Sequence, residues 1–298
     1  SIDRRHHGKE DMMYRILCSL FEVIILLTTG IDLYESICNA TKVSVFNWDR
    51  DMVTVENADV FFDELSNSTI SVVYQYISSK TADEDIAYYL TCAAAHEVGI
   101  YLLTGEPKWG LETEGAGMID EIMRAQTINQ LVPGEARLRG VVMDVAPYLT
   151  DEWDAAPGEV MDRFAAGLAC AYSETLDCGL QLIVCIPYFY DTKGYMDALE
   201  GIIESGCDRA AVMNYYKGKE AEHIADEIAL SRKYGKKLVN IYELQPPDGT
   251  AVTDVNTYYH EGLGAVVRSA VSLKSVYQGD VEFAIHDYDA WKEMRDDE

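Results

Sequence analysis

No two cysteines in this chain stand at CxxC spacing. The seven lie at positions 18, 38, 92, 170, 178, 185 and 207, which argues against a zinc knuckle or a thioredoxin-type motif. The odd count implies that not every thiol is disulfide-bonded, and Cys185, inside an apolar run, reads as a buried thiol. Basic residues are scarce: 24 Lys and Arg stand against 51 Asp and Glu, a formal charge of −27. That balance argues against nucleic acid or an anionic membrane surface as partner, because phosphates need a basic footprint. The preferred reading of the charge is a soluble surface. The six histidines are too few and too scattered for the usual metal-ligand sets. "HHGKE" near the start reads as a polar tail, not a metal box. The first apolar run ends "FNWDRDMV", with no glycine-rich phosphate turn.

The 298 residues, 48% hydrophobic and 25% charged, have an ordinary globular composition. "ILCSLFEVIILLTTG" (16–30) is strongly apolar and follows a partly basic stretch, as in a signal or anchor segment. Glu22 interrupts it, no clear cleavage site follows, and it falls short of the ~20 residues of a membrane span. A packed N-terminal helix within 1–41 is therefore the expectation. An anchor would instead place the protein outside the cell or at its surface; without one the expectation is cytoplasmic.

From residue 42 onward, short β-branched or aromatic runs alternate with longer helical stretches. The runs are 42–49, 70–77, 98–107, 139–148, 180–189, 209–216, 237–244 and 281–288. Each is nearly continuous in apolar residues, as expected of parallel strands covered on both faces. The spacers carry helix signals: 157–179 opens with proline and ends with glycine, and Gly206 and Gly235 look like C-terminal caps. A helix is expected over 82–98, another over 220–237, and a last one over 254–276. Eight strands alternating with helices over 42–298 predict an α/β fold, a single (β/α)8 TIM barrel, rather than a doubly wound open sheet.

Such a barrel builds its site at the C-terminal strand ends. There the runs carry Trp48 and Asp49, Tyr76, Glu106 with Trp109 beyond it, Asp144 and Tyr148, Tyr188, Asn214 and Tyr215, Glu243, and His286 and Asp287. The starts are aliphatic or basic. Aromatics mixed with acids suit a sugar, whose C–H faces pack on rings while its hydroxyls need polar partners. Glycoside hydrolysis needs two carboxylates, and Asp144, Glu243 and then Glu106 are the candidates. Each has a plainer alternative: Asp144 can hold loop amides, Glu243 can cap a helix, Asp49 and Asp287 can tie down loops, and Trp48, Trp109, Tyr148 or Tyr215 can be core aromatics. His286 reads as a hydrogen-bonded rim histidine.

The motifs resemble a known group. "GVVMDVAPYLTDEW" resembles the fourth-strand motif of barrel glycoside hydrolases, an apolar strand ending D-x-E and often followed by proline and an aromatic. "VMNYY" resembles the sixth-strand M-x-Y motif of the chitinase-like (family 18) glycosidases. "LLTGEPKW", "IYELQPP" and "AIHDY" are similar to strands three, seven and eight of uncharacterised bacterial barrels assigned as glycosidases. The resemblance implies a carbohydrate ligand and no cofactor. It implies that Asp144 orients the acid and a substrate acetamido group, and that Tyr215 helps hold that group. The catalytic acid's position falls on Ala146, and Tyr216 stands where an acid follows the tyrosine in chitinase-like enzymes. Three explanations fit the alanine: a deliberate replacement, an inactive sugar-binding relative, or an acid supplied by Glu106 or Glu243. Metal-assisted hydrolysis through Asp49, Asp144, Glu243 and His286 is a further, different chemistry for the same fold.

Overall fold

The computed structural model describes residues 42–297. The helix expected within 1–41 lies outside the described residues. Eight parallel strands close into a barrel in sequence order: β1 Val43–Asn47, β2 Ile70–Tyr76, β3 Gly99–Thr104, β4 Gly140–Met143, β5 Gln181–Pro187, β6 Arg209–Met213, β7 Lys237–Glu243 and β8 Val281–His286. Closure comes from β8 pairing with β1, Val43 opposite Phe283 and Val45 opposite Ile285. All eight apolar runs of the sequence are these strands, and the chain is a single (β/α)8 barrel.

Ten helices occur among the described residues: α1 Val55–Leu65, α2 Asp83–Ala95, α3 Ala116–Ile128, α4 Asp151–Ala155, α5 Pro157–Cys178, α6 Met196–Ser205, α7 Glu220–His223, α8 Ala225–Lys233, α9 Leu263–Tyr277 and α10 Tyr288–Asp297. No described helix is long and apolar enough to cross a membrane.

The pleat explains why the strands read as continuous apolar runs. Alternate side chains point to opposite faces. Phe46, Tyr74, Tyr101, Leu103, Val142, Ile183, Cys185, Ala211, Val239, Ile241 and Ala284 fill the barrel. Val45, Val73, Leu102, Val141, Val184, Val212 and Leu238 pack outward against the helices. Both faces are largely dry, with a few buried polar exceptions such as Gln75 on β2 and Asn240 on β7. Phe46 and Tyr74 meet edge to face at 4.9 Å, with the small Ala211 and Ala284 elsewhere in the same filling.

The helix ends follow local chemistry. α5 has Pro157 at its first position and stops at Gly179, whose φ of 67° lets its N–H reach back to Thr175 and Leu176 carbonyls. Gly235 likewise has φ 66° beyond α8. Gly206 caps α6 at φ −109°, an ordinary angle; there glycine is needed because a Cβ would lie 2.9 Å from the Ile202 carbonyl oxygen.

Three expectations differ from the structure. The helix expected over 254–276 starts only at Leu263. Gly262, at φ 78° and ψ 166°, breaks it, and the preceding residues form a loop against the end of β7. The stretch 220–237 splits into α7 and α8 at Ile224, whose φ of −107° and ψ of 9° leave the helical region. Finally, β4 ends at Met143, earlier than its apolar run, and a 3-10 turn begins at Pro147.

Candidate functional site at the C-terminal mouth

Register builds the first part of the site. The β7–β8 pairing places Glu243 directly opposite His286, each the last residue of its strand. The Glu243 carboxylate is buried at 3% exposure. Its Oε1 accepts the N–H groups of Leu244 at 3.0 Å and Gln245 at 2.9 Å. His286 Nδ1 lies 3.1 Å from Oε2 and 3.3 Å from Oε1. On the other side of the imidazole, Trp48 Nε1–H donates to Nε2 at 3.2 Å. An indole N–H only donates, so Nε2 is the acceptor and Nδ1 carries the proton that goes to Glu243. Two forces then oppose each other on this ring. Burial disfavours the imidazolium, but Glu243, then Asp287 and Asp144, outweigh it and raise the pKa. The indole requires the neutral form.

Asp144 stands one residue past β4. Its N–H donates to the Thr104 carbonyl at 2.8 Å, which adds one more rung toward β3. Gly105 makes that approach feasible: a Cβ there would sit 2.0 Å from the Asp144 carbonyl oxygen. The half-buried Asp144 carboxyl makes no hydrogen bond among the described residues. Burial raises its pKa, and His286 across the mouth pulls it partly back. Tyr215, after β6, lies 6.3 Å from the His286 ring. Burial first, then the Glu243 and Asp144 charges, push its phenol well above the ordinary value. Tyr215 thus feels both carboxyls.

Aromatics complete the rim. Trp48, 37% exposed, and Tyr76 have ring centroids 6.3 Å apart at a 35° tilt. Tyr148 feels the Asp144 charge and sits edge-on to Phe189 at 5.7 Å and to Trp153 at 6.3 Å. Cys185, on the inner face of β5, has its thiol raised by burial and further by Asp144. Its place beside Asp144 went unread in the sequence, although its alternation with Ile183 puts both on the inner face.

The other rim candidates have partners or places outside this group, except Asp287, whose charge also acts on His286. Glu106 is exposed, and its carboxyl makes no hydrogen bond among the described residues. Trp109, in the 3-10 turn Pro107–Leu111, packs on Gly117, where a Cβ would lie 2.3 Å from the indole. Asp49 accepts the Asp51 N–H at 2.8 Å and ties down its own turn. Asp287 accepts from Ala290 N at 3.1 Å, which starts α10, and from Gln245 Nε2 at 2.8 Å. Asn214 donates to the Glu220 carbonyl at 2.9 Å and to Asn240 Oδ1 at 2.8 Å, while His223 Nδ1 meets its oxygen at 3.2 Å. Tyr188 stacks on that same His223, at 4.5 Å and 8°. Asn214 and Tyr188 therefore both engage His223 of α7, Asn214 by a hydrogen bond and Tyr188 by stacking. Among the described residues no group of three His, Cys, Asp or Glu side chains has metal-holding geometry, so Asp49, Asp144, Glu243 and His286 do not form one ligand set. Ala146 is buried at 8% exposure with φ −108° and ψ 71°. Because β4 has already ended, strand alternation does not carry from Asp144 to Ala146.

Comparison with known proteins gives no matching family model and no matching curated protein. Among solved structures, a GH18 chitinase from Pseudoalteromonas aurantia superposes with a TM-score of 0.50 at 13% identity, covering 86% of this chain and 99% of the other. The PgaB (BpsB) glycoside hydrolase domain from Bordetella bronchiseptica gives 0.51 at 10% identity, covering 86% and 96%. A Bacteroides thetaiotaomicron protein assigned as an α-L-fucosidase gives 0.52 at 12% identity, covering 83% and 85%. The likeness is one of fold. It places this chain among (β/α)8 barrels.

Proposed function

We propose that this chain is a carbohydrate-active barrel of glycoside hydrolase type, with its ligand at the mouth formed by Trp48, Asp144, Tyr215, Glu243 and His286. One observation supports the reading most: two carboxyls face the same tyrosine from unlike surroundings. Asp144 is desolvated and has no hydrogen-bond donor among the described residues, which favours a protonated acid. Glu243 receives two backbone N–H groups and the imidazole. Carboxyls set apart in this way divide acid and charge-stabilising roles. In this reading Asp144 gives a proton to the leaving glycosidic oxygen, and His286 Nε2, oriented by Glu243, takes one from the attacking water. Trp48 and Tyr76 offer ring faces to a sugar.

A second reading, a silent sugar-binding barrel, is favoured by Ala146, whose methyl cannot supply a proton at the position where the resemblance expects an acid. Turnover and binding on a panel of amino-sugar and neutral glycans test both. Parent activity that falls about 10²–10⁴-fold in Asp144→Asn and in Glu243→Gln supports the hydrolase. Glycan binding without turnover, and turnover gained only by Ala146→Glu, supports the silent barrel. A panel that neither binds nor reacts overturns the carbohydrate reading.

A further inference from the structure

We propose that Trp48 is a latch on His286: its indole N–H occupies the Nε2 lone pair in the free protein, and the imidazole can take up a proton only when the indole swings away. The argument is one of donors and acceptors. The imidazole has two nitrogens, and both are engaged. Nδ1 faces Glu243 at 3.1 Å, and Nε2 accepts from Trp48 at 3.2 Å. An indole nitrogen has no lone pair to offer, so a protonated Nε2 and the Trp48 N–H cannot share this contact.

The groups around the ring are Glu243 from β7, Asp287 next in sequence, Asp144 just past β4, Tyr215 past β6, Phe46 from β1 and Trp48 just past it. The three carboxyls all favour a cation on His286. Burial opposes it, and among the neighbouring side chains so does the Trp48 donor. Trp48 is also the least enclosed of these groups: it follows the end of β1 and is 37% exposed, whereas Glu243 is 3% exposed and pinned by two amides. The ring is therefore poised between a latched neutral state and an unlatched cationic one. The inference rests on the carbohydrate reading only for what displaces the latch: a sugar ring packing on Trp48 and Tyr76 draws the indole off Nε2 and frees the base as the ligand arrives.

The test uses the free protein without sugar, so a glycan panel that fails leaves its outcome standing. The His286 imidazole is titrated by nuclear magnetic resonance, its signal assigned by its loss in His286→Gln. It is compared in the parent, in Trp48→Phe, and in protein carrying benzothienylalanine at position 48, which keeps the ring shape and replaces N–H by sulfur. Loss of one neutral hydrogen bond corresponds to a rise of about half to one pH unit in the His286 midpoint, in both altered proteins. An unchanged midpoint in both overturns the latch. A rise in Trp48→Phe alone also overturns it, because that pattern reports lost burial rather than a lost donor.

Discussion

Glu227 offers a sharp physical test of this barrel. It lies on α8 with no exposed surface, and neither carboxyl oxygen has a hydrogen-bond partner among the described residues. Ser231 Oγ, one turn further along, and Asn240 Nδ2 on β7 are likewise unpaired there. Burial pushes the Glu227 pKa from 4.5 up to about 8; its own backbone N–H offsets part of the rise, and Asp191 and Asp226 add to it. The sign is fixed by which state holds the proton. Below pH 4.5 the folded and unfolded chains are both protonated here. Between 4.5 and 8 the unfolded chain has released its proton and the folded chain has not, so stability falls as pH rises and levels off above the folded value. At about 1.4 kcal/mol per pH unit, the loss between pH 5 and pH 8 is about 3 kcal/mol from this one group. Glu227→Gln removes the titration but adds an amide that also lacks partners, so its absolute stability is no guide. The difference in slope is. Urea unfolding of parent and Glu227→Gln at pH 5, 6, 7 and 8 should show the parent losing about 3 kcal/mol more than the variant over that range. Parallel curves would refute the reasoning, since they would mean that Glu227 is ionised in the folded state throughout.

Other perturbations report on the mouth and its support. If Asp144 donates the proton, glycan turnover falls as pH rises through a midpoint above the ordinary carboxylate range, and Asp144→Asn lacks that limb of the pH profile. Gly105→Ala forces a Cβ onto the Asp144 carbonyl, and thermal unfolding should show a loss of about 1–3 kcal/mol. Phe46→Ala empties the barrel filling beneath His286, a loss of about 3–5 kcal/mol by urea unfolding. Asp287→Ala removes the acceptor for Ala290 N–H at the start of α10 and should lower stability by about 1 kcal/mol in the same assay.

The barrel was legible because the physics that makes it is local in sequence. A parallel strand dry on both faces reads as a run such as "LQLIVCIP", and a helix between two such strands can carry its own end signals, as α5 does with Pro157 and Gly179. Where single residues decide the outcome, the pattern misleads. The apolar and aromatic residues of 254–262 look helical, yet Gly262 sets the start of α9 at Leu263. Asp144 and Ala146, two apart, would share a face only on a continuing strand, and β4 stops at Met143. The site is harder still, because its contacts are long-range. Trp48 and His286 are 238 positions apart, and only barrel closure brings them together. Asn214 and Tyr188 sit at strand ends as faithfully as Tyr215 does, but His223 engages both, and nothing near either residue announces that partner.

Glu243 is held from two directions at once. Its side chain orients His286, while its carbonyl accepts from Tyr258 N–H at 3.0 Å and Thr257 Oγ1 at 3.3 Å in the loop before α9. That loop is therefore not an interchangeable module. In many barrels the loops after the strands can be grafted between scaffolds as separate pieces, but here transplanting 254–262 also transplants a support of the mouth's buried carboxylate. Variation at this rim, natural or designed, is constrained at Thr257 and Tyr258.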